Sequence, residues 1–292
     1  MTYIAQETLR NTAARAGQDI YTLSYFAASS TLLWRFYQGA PSLIGLAWLI
    51  TFLFYPSLYL LRMGQMGLVV LFGLVCFLCL QEKGKHWQSG MVVLLPAVKP
   101  HLVYLFWIAL ALWIFQERRW KLLGGILTAL LVATVIPMVF NPHLIAQSSS
   151  VWSQAQTPLF EYDTPTLGTI LRKAFGWEKH WLQFLPMGVG TLGLLWHWRN
   201  RRQAWDWRRE LPLLLAVSVW TCLYSWVSDL VLLLPVVIQT LVLILRQPSA
   251  RKQIGVISLL GISVFCLAIN LLGATDFAYF WLCPVLLVFY WT

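Results

Sequence analysis

The stretch Pro96-Ala97-Val98-Lys99-Pro100-His101-Leu102 decides how this chain is read. It sits inside an apolar run from Met91 to Phe115 that carries no other charge. A lysine in hydrocarbon costs on the order of 3 kcal/mol. Pro100 removes a backbone donor and pushes Lys99 toward an extended conformation, so the helix breaks here. Broken backbone at membrane depth is tolerated only where it is buried in protein or lines a wet cavity. Lys99 is therefore expected to face a cavity, with an ammonium able to hold an anion. The alternative is a lysine at a helix end, snorkelling to a headgroup.

Similar apolar runs recur along nearly all 292 residues, of which 59% are hydrophobic and 11% charged, with mean hydropathy +0.67. Runs of this length are helical, because only helices or closed barrels satisfy the backbone in lipid and barrel strands alternate in polarity. The expected fold is all-α: one polytopic transmembrane bundle over 1–292, with about nine to ten membrane segments. The spans run from Ile20–Tyr37 and Leu43–Leu61, kinked at Pro56, through to Ala278–Tyr290. Residues 141–180 form one long non-membrane loop.

The formal charge of +10 sits in short loops and reads as a topology signal, not a nucleic-acid footprint. Alternate loops separate by charge. One set holds Lys83, Lys85, Arg118, Arg119 and Lys121, then Arg199 to Arg209, then Arg246 to Lys252. The other holds Arg62, the long loop, Asp229 and Asp276. The positive-inside rule puts the first set in the cytoplasm and the Lys99 bend, Gly64-Gln65, the long loop and Asp229 on the outer side. The tryptophans at span edges, among them Trp198, Trp205 and Trp207, read as an interfacial belt.

All five cysteines lie in apolar runs, and Cys76-x-x-Cys79 reads as helix filler. Residues 1–19 are polar, without the apolar core of a signal peptide. There is no nucleotide loop, zinc spacing or Ser/His/Asp motif. What remains is a set of polar groups on the outer side. The candidate phosphate-binding cations are Lys99 and Arg172, with His101 beside them. A histidine at a helix start is also ordinary hydrogen-bonded structure. The candidate carboxylate bases are Asp163, Asp229 and Glu161, and Asp229 equally suits a helix cap. Gly64, Gln65, Pro100, Tyr224, Trp226 and Asp229 are placed around the cavity. Gln154–Thr169, with Phe160 and Tyr162, suits a segment that orders over a bound substrate. This set fits an anionic head on a long lipid tail, gripped by cations while a carboxylate deprotonates an acceptor hydroxyl.

Four stretches resemble one family. Met63-Gly64-Gln65-Met66-Gly67 is similar to its Gly-Gln motif. Val98-Lys99-Pro100-His101 with Arg118-Arg119-Trp120 resembles its Lys-Pro segment and basic loop. Asp163-Thr164-Pro165-Thr166-Leu167 with Arg172 is similar to its outer-loop stretch, with Thr164 and Thr166 where Asn and Ser are usual. Tyr224-Ser225-Trp226-Val227-Ser228-Asp229-Leu230 before Pro235 resembles its Ser-Trp…Tyr-Asp stretch. These are the integral-membrane glycosyltransferases of family 87, in the GT-C class, and the resemblance runs from about Gly39 to Leu245.

The resemblance implies transfer of a sugar, mannose or another hexose or pentose, from a polyprenyl-phosphate donor to a lipid or glycan acceptor. The site would face outward from a bacterial-type inner membrane. No cofactor is required with certainty, and a divalent cation is compatible. The family places a catalytic aspartate in the first outer loop, where Asp19 has no matching context. The expectation is therefore a truncated or degenerate member. The alternatives are a non-catalytic polyprenyl-phosphate carrier or flippase, and an inactive paralogue acting as a structural partner.

Overall fold

The structure is a computed structural model of the chain, and it describes residues 21–144, 146–147 and 161–291. Among these the architecture is helical, with no strand. Helix α1 occupies residues 21–36. It is followed by α2 (Ile44–Leu53), α3 (Tyr55–Met63), α4 (Gly67–Glu82), α5 (His86–Val92), α6 (Tyr104–Gln116) and α7 (Trp120–Phe140). After the long loop come α8 (Leu167–Phe175), α9 (Trp181–Arg201), α10 (Trp207–Thr221), α11 (Leu234–Leu245), α12 (Ser249–Leu271) and α13 (Leu282–Trp291).

Three helices among the described residues are long and apolar enough to cross a membrane, or up to five if each bent pair counts as one span. This does not confirm the expected nine to ten segments. The reason is local chemistry. The bend at Phe54, just before Pro56, splits α2 from α3 by 61°. Helix α4 has 16 residues, about 24 Å at the helical rise, against a core of about 30 Å. Helix α9 is long enough, but Gln183, His197, Arg199 and Arg201 dilute its hydropathy.

One segment is central. Val227–Leu245 is a 3₁₀ turn running into α11, and 89% of it is buried, against 17% for Trp120–Phe140 and for Ser249–Leu271. Val227 and Leu230 to Leu233 are fully enclosed. A segment this apolar on every face needs protein all around it. The two outer helices instead show Leu131, Val139, Ile257 and Val264 outward, as lipid-facing surfaces do. Asp229 lies in the first turn of the central segment, which fixes where the polar chemistry gathers.

At the inward-read end, the structure corrects the aromatic belt. Trp198 and Trp207 are buried. Trp207 meets Phe77, Phe106, Trp113 and Trp205 edge-on at centroid distances of 5.2 to 5.6 Å. These rings are core, whereas Trp87, Trp120, Trp181 and Trp196 are exposed as a belt requires.

The α5–α7 contact holds the arm that leads to Lys99. A Cβ on Gly90 would come within 2.1 Å of the Leu122 carbonyl oxygen, and one on Gly125 within 2.1 Å of the Trp87 carbonyl oxygen. Both obstacles are backbone, so neither helix can give way by a side-chain turn. We expect Gly90→Val or Gly125→Val to destabilise the protein by about 1–3 kcal/mol, as overpacking does. A lowered unfolding temperature in detergent would show it; wild-type values for both would contradict the packing described.

Candidate functional site

The break at Lys99 is built by two prolines four residues apart. Pro96–Val98 and Pro100–Val103 are separate 3₁₀ turns, and Lys99 joins them at φ −131° and ψ 69°, outside the helical region. The arm His86–Val98 and the helix Pro100–Gln116 meet at 120°. The bend carries the Lys99 side chain toward the first turn of the central segment.

There Lys99 Nζ donates to Asp229 Oδ1 at 2.7 Å and to Gln65 Oε1 at 3.1 Å. Gln65 is presented by the α3–α4 turn. Gly64 takes the left-handed conformation that ends α3, and a side chain there would be strained. Gln65 Oε1 also accepts from Ser228 Oγ at 3.1 Å. Asp229 Oδ2 accepts from the Trp226 backbone N–H at 3.0 Å. The carboxylate thus has two roles, one oxygen capping its own turn and the other holding the lysine. Asp229 is fully buried, while the Lys99 side chain keeps 20% of its exposure. An ammonium has three donors, and two of them have protein partners among the described residues.

His101 stacks on Tyr224, ring centroids 4.1 Å apart, and its Nε2 is buried without a partner among the described residues. The hollow beside the break, about 350 Å³, is apolar. Pro100, Ala97 and Trp107 line it, and Lys99 does not. The amine therefore faces a polar cluster, not that hollow.

The outer-loop candidates form a second cluster. Arg172 is fully buried. Its Nε and one terminal nitrogen donate to the Trp177 carbonyl at 2.9 and 2.6 Å, and that nitrogen also reaches Glu161 Oε2 at 3.2 Å. The guanidinium carbon lies 4.1 Å from the centre of the Trp177 ring. His180 Nδ1 stands 3.0 Å from Glu161 Oε1. Arg172 and Glu161 close the loop upon itself. Thr164, Thr166 and Thr169 turn their hydroxyls on one another, all three buried. Gln183 Nε2 donates to Thr166 Oγ1 from α9 at 3.2 Å.

Asp163 differs from its neighbours. Oδ2 pairs with Lys173 Nζ at 3.0 Å, but Oδ1 is buried with no partner among the described residues. The two clusters meet around this residue. Tyr162 packs against Trp226 at 5.4 Å, and Lys173 Nζ lies 4.3 Å from the centre of the Phe277 ring. Asp276 Oδ2, in the turn between α12 and α13, accepts from the Val227 N–H at 3.3 Å. Burial raises the Asp276 carboxyl above the usual range, the Val227 N–H opposes that, and the charges of Asp229 and Asp163 add to the rise. Asp276 is a member of the site that sequence reasoning left as an ordinary loop charge.

Residues 148–160, and Phe160 with them, lie outside the described residues, as does Asp19. Among the described residues no three His, Cys, Asp or Glu side chains are grouped to hold a metal ion.

A model of glycosyltransferase family 87 matches residues 6–235, a stretch that contains Gln65, Lys99, Asp163, Arg172 and Asp229 and ends before Asp276. No curated protein and no solved structure gives a match.

Proposed function

The chain belongs to glycosyltransferase family 87, and from that premise we propose that it transfers a sugar from a polyprenyl-phosphate donor to a lipid or glycan acceptor at the outer face of the inner membrane. The observation that carries this reading is the Lys99 amine, fixed at a 120° break by a buried carboxylate and an amide, with one donor left over among the described residues. In the reaction the bond from the sugar's anomeric carbon to the phosphate oxygen breaks. A bond to the acceptor oxygen forms, and the acceptor's proton leaves to a base. Lys99 holds the phosphate and stabilises the charge that grows on it as it departs. Asp229 and Gln65 position Lys99. Asp163 takes the proton, because its Oδ1 has no partner among the described residues. Asp229 and Glu161 have both oxygens engaged. Arg172 fits a loop latch better than a phosphate ligand.

The outward orientation is supported by where the basic loops gather. Arg208 pairs with Glu82, Gln116 Nε2 donates to the Arg202 carbonyl, and Arg119 reaches His86. These loops therefore share one end of the bundle. Helices α4, α6 and α10 run from it to the Lys99 end, so the positive-inside rule sets Lys99 outward.

The test is purified protein in liposomes with a labelled polyprenyl-phosphate sugar and a mixed lipid acceptor fraction. The expected result is label in a new acceptor with release of polyprenyl phosphate. Movement of the intact donor between leaflets without transfer would replace this reading with a carrier. Neither movement nor transfer would leave a structural partner.

A further inference from the structure

A groove of about 510 Å³ runs along α9, where Val189 and Trp196 stand exposed at its edge. Its lining on α9 extends from Leu185 to His197, about 18 Å at the helical rise. That is more than half of a hydrocarbon core of about 30 Å, so the groove takes the depth of one leaflet. Helix α10 and Leu105 of α6 complete it. Two glycines of α9 make the concavity. A Cβ on Gly190 would collide with the Tyr104 hydroxyl, so α9 lies close against α6 there, whereas nothing stands within 4 Å of a Cβ on Gly193.

Aliphatic and aromatic side chains make nearly all of the lining, and no Lys, Arg, Asp or Glu lines it among the described residues. Its hydroxyl and its imidazole are engaged within the protein. Thr221 Oγ1 donates to the Val217 carbonyl at 2.6 Å and lies 2.8 Å from the Tyr104 hydroxyl. His197 Nε2 lies 2.8 Å from Glu210 Oε2. The Trp220 indole nitrogen is buried out of reach. The groove therefore suits hydrocarbon and not a headgroup. Spread over about 18 Å, its volume gives a mean section of roughly 28 Å². An α-helix 10–12 Å across needs roughly 80 Å² or more. The occupant is one or two hydrocarbon chains, not a partner's helix.

The groove is continuous with the transfer site. Leu167 and Leu171 of α8 wall its outer end, and Lys173 of the same helix pairs with Asp163. Helix α8 has 9 residues, about 13 Å, so the mouth and the assigned base lie within one short helix of each other. The other hollow, at the break, is lined by Ala97 and Pro100 on either side of Lys99 in the chain, and by Trp107 of α6. Leu105 and Trp107 are two positions apart, about 200° around a helix, which puts the two hollows on opposite sides of α6. One opens beside the lysine that holds the donor phosphate. The other opens beside the carboxylate that meets the acceptor.

We infer that the acceptor is itself a membrane lipid, a hydroxyl-bearing headgroup on hydrocarbon chains, and that its chains occupy the groove along α9 while the donor's tail takes the hollow at the break. This rests on the transfer reading above, which leaves the acceptor open between a lipid and a glycan. The test uses the full chain in liposomes with labelled polyprenyl-phosphate sugar. The mixed lipid acceptor fraction is supplied intact, or with its acyl chains removed by mild alkali. Intact lipids should be labelled at least about 100-fold faster than the deacylated headgroups, because only they bury a chain. Gly193→Leu fills the groove where a Cβ meets nothing, and Leu suits a helix better than Gly, so folding should hold. It should raise the acceptor KM about tenfold, the loss of roughly two buried methylenes, without raising the donor KM or lowering the unfolding temperature. Val189→Trp should act in the same direction. Equal use of the deacylated headgroups overturns the inference and leaves the transfer reading standing. So does a wild-type acceptor KM in both variants, which would mean surrounding bilayer lipid only. A raised donor KM with the acceptor KM unchanged overturns it too and gives the groove to the donor's tail. Absence of label in either kind of acceptor overturns the transfer reading, and this inference with it.

Discussion

Lys99→Met is expected to lower the rate of sugar transfer by about 10²–10³, the usual cost of removing one donor aimed at developing charge. The same change should destabilise the protein by about 3–5 kcal/mol, because it leaves the fully buried Asp229 carboxylate without its counter-charge. The two losses have different causes and can be separated. Replacing both partners, as Lys99→Met with Asp229→Asn, removes the stranded charge while Asn keeps an oxygen for the Trp226 N–H. Stability should largely return, since a buried ion pair is often replaceable by neutral groups of similar shape. Activity should not return, because the phosphate contact is still missing. Unfolding temperature and initial transfer rate, measured on the same preparations, give both readouts. A double variant that is stable and transfers sugar at the wild-type rate would reduce Lys99 to a structural lysine.

The break at Lys99 was legible because a charge and a proline interrupt the same apolar run. Its partner was not. Lys99 and Asp229 are 130 residues apart, and neither neighbourhood carries a sign of the other. Each was singled out alone, one as a phosphate ligand and one as a base or cap, and only the fold makes them a pair. Asp276 escaped because its partners are a backbone N–H, which leaves no mark in a sequence, and the Tyr59 hydroxyl, more than 200 residues away. Arg172 stood out as a cation in an outer loop, but its burial depends on the Trp177 carbonyl turning back over it. The tryptophans show the same limit in an apolar setting. Position at a span edge predicts an interfacial ring, yet Trp207 is packed from four sides by rings of α4, α6 and the loop before it. The nine to ten segments expected from apolar length are not confirmed, three to five helices among the described residues being long and apolar enough to cross. The bends at Pro56 and Lys99 were legible from the prolines, whereas their angles, 61° and 120°, depend on how the turns pack.

The second large effect is expected at Asp163. Asp163→Asn keeps the size of the side chain and removes its ability to take a proton. If Asp163 is the base, kcat should fall by about 10²–10⁴ with little change in donor KM. Stability should barely move. The pair with Lys173 is more than one-third exposed on both sides, and such pairs contribute about 0–1 kcal/mol. Glu161→Gln is the informative contrast. It removes a charge from the contacts to Arg172 and His180 without touching Asp163. It should raise hydrogen exchange across Leu167–Phe175, the helix that carries Arg172, while leaving kcat within a few-fold of wild type. Asp163→Asn should do the reverse, lowering kcat while the helix stays protected. The two carboxylates are two positions apart, so a disturbance that merely spread through the loop would move both readouts together. An Asp163→Asn enzyme with wild-type kcat would remove the role given to Oδ1. The proton acceptor would then be sought at Asp276, whose carboxyl already lies close to both Asp163 and Asp229 in charge terms.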